Sequence, residues 1–150
     1  MDDTDRKILR AIQEDASLSL AQIADRVGLS PTPCWKRIQK MEKAGIILKR
    51  VALLDPAAVG SGVTVFVSIR TGEHSREWLE RFASTVSGMP EVVEFYRMAG
   101  DVDYMLRVVV PDIAAFDRFY KKLIEGLHLS DVTSRFAMET IKYTTAVPVR

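Results

Sequence analysis

The chain has 150 residues, 47% of them hydrophobic, and a net charge of +1; it is long enough for one domain or two small ones with a buried core, and its composition excludes a disordered or collagen-like chain. The near-zero charge conceals a division. Residues 1–50 carry ten Lys/Arg against seven Asp/Glu, Ser30 to Arg50 alone carries six against one, and residues 51–150 are slightly acidic at eleven against thirteen. A single cysteine, Cys34, cannot form an internal disulfide, and no apolar run nears the ~20 residues that span a bilayer. The opening MDDTDRK is too acidic and polar for a signal peptide. A cytoplasmic protein with no membrane partner is expected.

Asp3 or Thr4 is placed to cap a first helix whose buried stripe is Ile8, Leu9 and Ile12 and which ends near Asp15. Ser17 or Ser19 starts a second helix, with Leu20, Ile23, Ala24 and Val27 on one face. Gly28-Leu29-Ser30 leaves room only for a tight turn before the third. There Ser30 can cap, Pro31 suits the first turn, and Gly45 can supply the left-handed residue that stops the helix. Cys34, Ile38 and Met41 define its inward face, while Thr32, Lys36, Arg37, Gln39, Lys40 and Lys43 crowd the rest. A helix, a tight glycine-bearing turn and a second helix with a basic outer face make a helix-turn-helix. In such a unit the second helix enters the major groove of double-stranded DNA, its N-terminal side chains meet base edges, and flanking cations hold phosphates. The candidate DNA-binding residues are Ser30, Thr32, Trp35, Lys36, Arg37 and Lys40. Arg37 suits bidentate pairing with a guanine, and Lys36 and Lys40 suit phosphates. Trp35 lies at the edge of the buried stripe, where packing under the preceding helix competes with contact to the sugar-phosphate backbone. The bland alternative is a helical hairpin with a solvated charged face.

Ile46 to Leu54 is rich in apolar and β-branched residues and is followed by Asp55-Pro56 and Gly60-Ser61-Gly62, which predicts a connecting strand and a hinge. Lys49 and Arg50 extend the phosphate-facing surface. From Val63 the pattern becomes strand, helix, strand, strand, helix, strand. Val63, Val65, Val67 and Ile69 alternate with Thr64, Phe66, Ser68 and Arg70. Trp78, Leu79, Phe82, Ala83 and Val86 mark a helix, Val92 to Met98 and Tyr104 to Val110 flank the turn Gly100–Asp103, Ile113 to Ile124 is helical, and Val132 to Lys142 is the last strand. This order predicts an α+β chain in three parts: a three-helix helix-turn-helix domain at 1–45, a strand and hinge at 46–62, and a ferredoxin-like βαββαβ domain at 63–150. Both helices of that domain cover one face of its antiparallel sheet. Phe66, Tyr96, Leu106, Phe136 and Met138 are the apolar candidates for the other face, and an apolar patch of that size predicts sheet-to-sheet pairing into a dimer. Two recognition helices ~34–36 Å apart then read a palindromic site.

The stretches LSPTPCWKRIQKMEKAGII, VALLDPAAVG and MAGDVDYMLRVVVPD, in this order and spacing, resemble the Lrp/AsnC (feast/famine) family of bacterial transcription regulators over nearly the whole chain. Within it, PTPCWKR, VALLDP, EFYRMAG and SDVTSRFAMETIKYTT look most like the cysteine-responsive regulators of cysteine detoxification. The resemblance implies C-terminal domains that pair into homodimers, dimers that assemble further, commonly into octamers, and an amino-acid effector bound between neighbouring dimers. The matching effector-binding positions are Met98, Gly100, Asp101, Asp103 and Tyr104 of the turn, with Thr133, Ser134 and Phe136 of a facing chain. The residues are compatible with that role: a tight turn offers amides to a carboxylate, Asp101 or Asp103 accepts from an ammonium group, and Tyr104 and Phe136 can wall a side chain. With no family in view, Asp101, Asp103 and Gly100 are plain turn formers.

The leading function is therefore a sequence-specific transcription regulator of amino-acid metabolism that responds to a small amino acid, with L-cysteine as a candidate. The alternative is an amino-acid-sensing oligomerisation module that binds no DNA. An enzyme is disfavoured by two ill-placed histidines, a cysteine on an inward face, no nucleophile-base pairing and no phosphate loop. No cofactor is expected, and two carboxylates without a third oxygen-rich partner make a poor metal cage. Cys34 is assigned to core packing, His74 and His128 to solvent, and Met98, Met105 and Met138 to core or interface filling.

Overall fold

The computed structural model describes residues 1–150, which divide into two compact units: Met1–Ala52 with Ile141–Arg150, and Leu53–Thr140. None of the helices is long and apolar enough to cross a membrane.

The first unit holds α1 (Asp3–Glu14), α2 (Leu20–Val27) and α3 (Pro31–Lys43). The N-cap of α1 is Asp2, one residue ahead of the expected Asp3 or Thr4, because Asp2 and Asp5 stand three apart and cap each other's amides reciprocally. Ser19 and Gln22 do the same for α2, and Gly28, with φ +71, closes it in the left-handed conformation. Ser30 occupies the N-cap position of α3, yet its side chain caps nothing. The group it would normally hold is the third-residue amide N–H, and Pro33 has none. Beyond Lys43, Gly45 takes the left-handed conformation expected of it (φ +70), and the Ile46 N–H donates to the Met41 carbonyl. Ile8, Leu9, Ile12, Ile23, Ala24, Cys34, Ile38 and Met41 form the core.

Val149 also packs on that core, and the segment leading to it is pinned to α1. The Gln13 carboxamide makes a two-point pair with the Val147 backbone, Nε2 donating at 3.1 Å and Oε1 accepting at 2.8 Å, and Arg10 Nη2 donates to the Val149 carbonyl at 3.1 Å. Within the stretch 63–150 expected as the second domain, Ile141–Arg150 make their contacts with the first unit.

The second unit is β1 (Val63–Arg70), α4 (Arg76–Ser87), β2 (Val92–Arg97), β3 (Tyr104–Val110), α5 (Ile113–Ile124) and β4 (Asp131–Phe136). The strands form one antiparallel sheet in the order β2-β3-β1-β4, with α4 and α5 packed on it, the expected ferredoxin-like arrangement. Val65, Val67 and Ile69 of β1 and Tyr104, Leu106, Val108 and Val110 of β3 meet Trp78, Phe82 and Val86 of α4 and Phe116, Phe119 and Leu123 of α5. Trp78 stacks on Phe82 with ring centres 4.8 Å apart, and Tyr104 joins them at 4.9 Å from Phe82.

Three expectations fail here. Residues 46–54 form no strand: no partner strand takes up their amides, and Leu48 and Leu54 are largely exposed. β4 stops at Phe136 instead of reaching Lys142: the Ala137 N–H still donates to the Thr64 carbonyl near the start of β1, and residues 138–142 continue without a strand partner. The uncovered sheet face is also less apolar than expected. Leu106 pairs with Val67 and Phe136 with Val65 on the helix side, where Phe136 meets Phe116 edge-on at 5.1 Å. Met138 lies beyond the strand, almost fully exposed. Phe66 and Tyr96 do reach the open face, but the same face carries an Arg107–Glu94 ion pair at 2.7 Å across β3 and β2 and an Arg135 Nη1 bond to Ser68 Oγ at 2.6 Å across β4 and β1. Successive residues of a strand point to opposite faces, so one step of register exchanges Leu106 for Arg107.

Candidate nucleic-acid interface and effector site

In α3, Cys34, Ile38 and Met41 face inward, and Thr32, Trp35, Lys36, Lys40 and Lys43 are exposed. Of the two places considered for Trp35, packing under α2 or an exposed position beside the DNA backbone, the structure leaves it 51% exposed. It lies about 100° around the helix from Cys34, and the inward stripe has no room beside Cys34 and Ile38. Cys34 is fully buried, and burial pushes its thiol up from the ordinary range, as a packing role requires. Lys36, Lys40 and Lys43 have no acidic partner. The only acid of α3, Glu42, is held by Arg50 Nη2 at 3.0 Å and by Gln39 Nε2 at 2.9 Å, so Arg50 turns to Glu42 instead of adding to the free basic surface.

Arg37 is engaged within the protein. Its Nη1 donates to Asp2 Oδ2 and to Asp5 Oδ1, each at 2.7 Å. The second oxygen of each carboxylate caps the other's backbone, Asp2 Oδ1 accepting from the Asp5 N–H at 2.9 Å and Asp5 Oδ2 from the Asp2 N–H at 3.0 Å. The Asp5 amide and then Arg37 hold the Asp2 carboxyl below its ordinary range. Burial pushes Asp5 up, but the Asp2 amide and Arg37 outweigh it and bring Asp5 down as well. Asp5 and Asp2 in turn raise Arg37. Neither aspartate stands among the sequence-derived site residues. Their spacing carried the capping signal, but a pairing across 32 residues leaves no trace in helical periodicity.

At the other site, Met98, Gly100, Asp101 and Asp103 cluster in the turn between β2 and β3. Gly100 adopts φ +129, a backbone that a side chain would strain. Asp103 is committed to holding the turn: its carboxylate accepts the Thr71 N–H at 2.8 Å, its N–H donates to the Ile69 carbonyl at 2.9 Å, and its carbonyl accepts from Met98 at 2.8 Å. Asp101 is exposed and has no bond of its own. Tyr104 is 5% exposed within the aromatic core, so it underlies the turn and lines no open wall. Thr133, Ser134 and Phe136 lie across β1 from the turn's own strand. Within one chain, β1 stands between the two sets.

Residues 1–47 match the model of a winged helix-turn-helix DNA-binding domain, and residues 64–147 match that of the Lrp/AsnC ligand binding domain. The DNA-binding transcriptional activator DecR of Escherichia coli K12 is 52% identical over 150 residues, with 99% of each chain covered. The glutamate uptake regulatory protein of Zymomonas mobilis is 48% identical, covering 99% of this chain and 91% of its own. Among solved structures, an AsnC family transcriptional regulator from Agrobacterium tumefaciens is 66% identical with a TM-score of 0.96, covering 99% of this chain and 97% of its own. A Neisseria meningitidis regulator in complex with L-Met has a TM-score of 0.93 at 35% identity, covering 99% and 96%. With a basic, solvent-facing third helix in one unit and a ferredoxin-like sheet in the other, the chain belongs to the Lrp/AsnC family of transcription regulators.

Proposed function

We propose that this DNA-binding regulator reads a palindromic operator with α3 and that an amino acid, with L-cysteine the first candidate, changes its assembly or its hold on DNA. The observation that carries the DNA side is the row of unpaired cations Lys36, Lys40 and Lys43 on the face of α3 opposite its buried stripe. Lys36 and Lys40 take phosphates, the free Ser30 hydroxyl and Thr32 stand at the helix start where base edges are met, and Trp35 lies against the sugar-phosphate backbone. The effector's ammonium group is met by Asp101 and its carboxylate by the amides around Gly100, with Met98 beside them. Thr133, Ser134 and Phe136 of a second chain close the site over Tyr104 and Asp103, which hold the turn in shape. The resemblance to the cysteine-responsive branch favours L-cysteine, and the 52% identity to the DNA-binding transcriptional activator DecR supports the regulator reading. The 35% identity to a regulator crystallised with L-Met supports the broader amino-acid class. A site shared between chains couples ligand to assembly, so dimers that build to an octamer in the cytoplasm complete the proposal.

The test is binding of the full-length protein to the promoter region beside its own gene, with L-cysteine and a panel of amino acids titrated and particle size followed in parallel. Binding should weaken steeply with salt through counterion release. Lys36→Glu with Lys40→Glu should reduce affinity by at least ~100-fold while leaving particle size unchanged. Undiminished DNA binding by that variant, or indifference to every amino acid, would reject the corresponding half of the proposal.

A further inference from the structure

The Asp2–Asp5–Arg37 cluster is a closed ring: two backbone amides and one guanidinium nitrogen satisfy all four carboxylate oxygens. It joins the N-terminus of α1 to the middle of α3. Both bonds to the acids leave from the same nitrogen, Nη1, so Nη2 and Nε, the donors along one edge of the fork, have no partner in the chain. The Arg37 side chain is 35% exposed, and Lys36, Lys40 and Met1 border the same open hollow.

Two negative charges beside the DNA-facing helix are unfavourable for affinity, since they repel phosphate. What they supply is orientation. A free arginine loses rotamer freedom when it pairs with a base, whereas one already fixed through Nη1 loses far less, and a planar fork rewards a fixed orientation more than a point charge does. We propose that Asp2 and Asp5 are positioning residues that aim the free edge of Arg37 at a base of the operator, so that they set sequence selectivity at the expense of general DNA affinity. The inference rests on α3 being the helix that meets DNA.

That origin gives a test in which two accounts differ in sign. Duplexes bound by the wild-type protein are selected from a randomised pool, and affinity for the selected operator is compared with that for an unrelated duplex of equal length. If the acids act only as charges, Asp5→Asn tightens binding to both duplexes. If they position Arg37, Asp5→Asn lowers the ratio of operator to unrelated affinity by ~10-fold or more, while affinity for the unrelated duplex holds or rises. Arg37→Lys, which keeps the charge and loses the fork, should lower the ratio similarly, and the double variant should be no worse than Arg37→Lys alone. An unchanged ratio in Asp5→Asn, or losses that simply add in the double variant, overturns the proposal. Should Asp5→Asn fail to fold, Asp2→Asn, which changes the more exposed acid, must lower the ratio in the same direction or the proposal fails. Failure of the underlying premise is separately visible, because the Lys36→Glu and Lys40→Glu variant would then bind both duplexes as tightly as the wild type.

Discussion

The two aspartates that hold Arg37 also make the first unit sensitive to acid, with a definite sign. Both carboxyls titrate lower in the folded chain than in the unfolded one, so between those values the unfolded chain binds more protons. Their contribution is therefore complete above the unfolded value of about 4 and is lost as pH falls through the lower folded values. The melting temperature of the first unit in Asp5→Asn should be lower than wild type at pH 6, by roughly 5 °C, and the gap should narrow as pH falls below about 4. A gap that stays constant from pH 6 to pH 2 would show that the lost interaction is not charge-dependent. Cys34 contributes nothing to such a profile near neutrality, because burial keeps its thiol protonated.

The helices and most strands of this chain are local statements, and they are legible in its residues. Capping residues, glycine stops and apolar spacing locate α2, α3 and α5 closely, and alternation locates β1 and β3. The misreadings share a different cause. Whether Leu106 or Arg107 faces the helices depends on a register set by a partner strand. Whether residues 46–54 form a strand depends on a partner the isolated chain does not provide, and Trp35 is exposed because its neighbours occupy the only inward stripe. At the candidate sites the residue types were legible but not their partners: Asp101 and Asp103 look alike in sequence, yet only Asp103 is consumed by the turn. The segment Ile141–Arg150 is the clearest case, since nothing in its composition announces that it packs beside α1. Its contacts predict that a chain ending at Thr140 loses thermal stability in α1–α3, read from helical circular dichroism. Gln13→Ala should reproduce part of the loss, about 1 kcal/mol for each exposed hydrogen bond removed. Equal melting of the shortened and full-length chains would show that the segment only rests there.

For the whole molecule, the polar centre of the open sheet face changes what assembly can rest on. With Arg107 paired to Glu94 and Arg135 bonded to Ser68, apolar burial at this face is left to Phe66, Tyr96, Met105 and Val109, and any ligand closing a site between chains has more influence on assembly. Asp101→Asn should accordingly raise the amino-acid concentration needed to shift particle size by ~10-fold without altering the size of the ligand-free protein. Light scattering across a titration decides it, and an unchanged midpoint would remove Asp101 from the site. One further consequence belongs to the making of the protein. The chain leaves the first unit after Ala52 and returns to it only at Ile141. At ~5–20 residues per second, the three helices wait on the order of 5–20 s before Val147 and Val149 reach them. By then every residue of the second unit has been synthesised, so the unit that is begun first is the last to be finished.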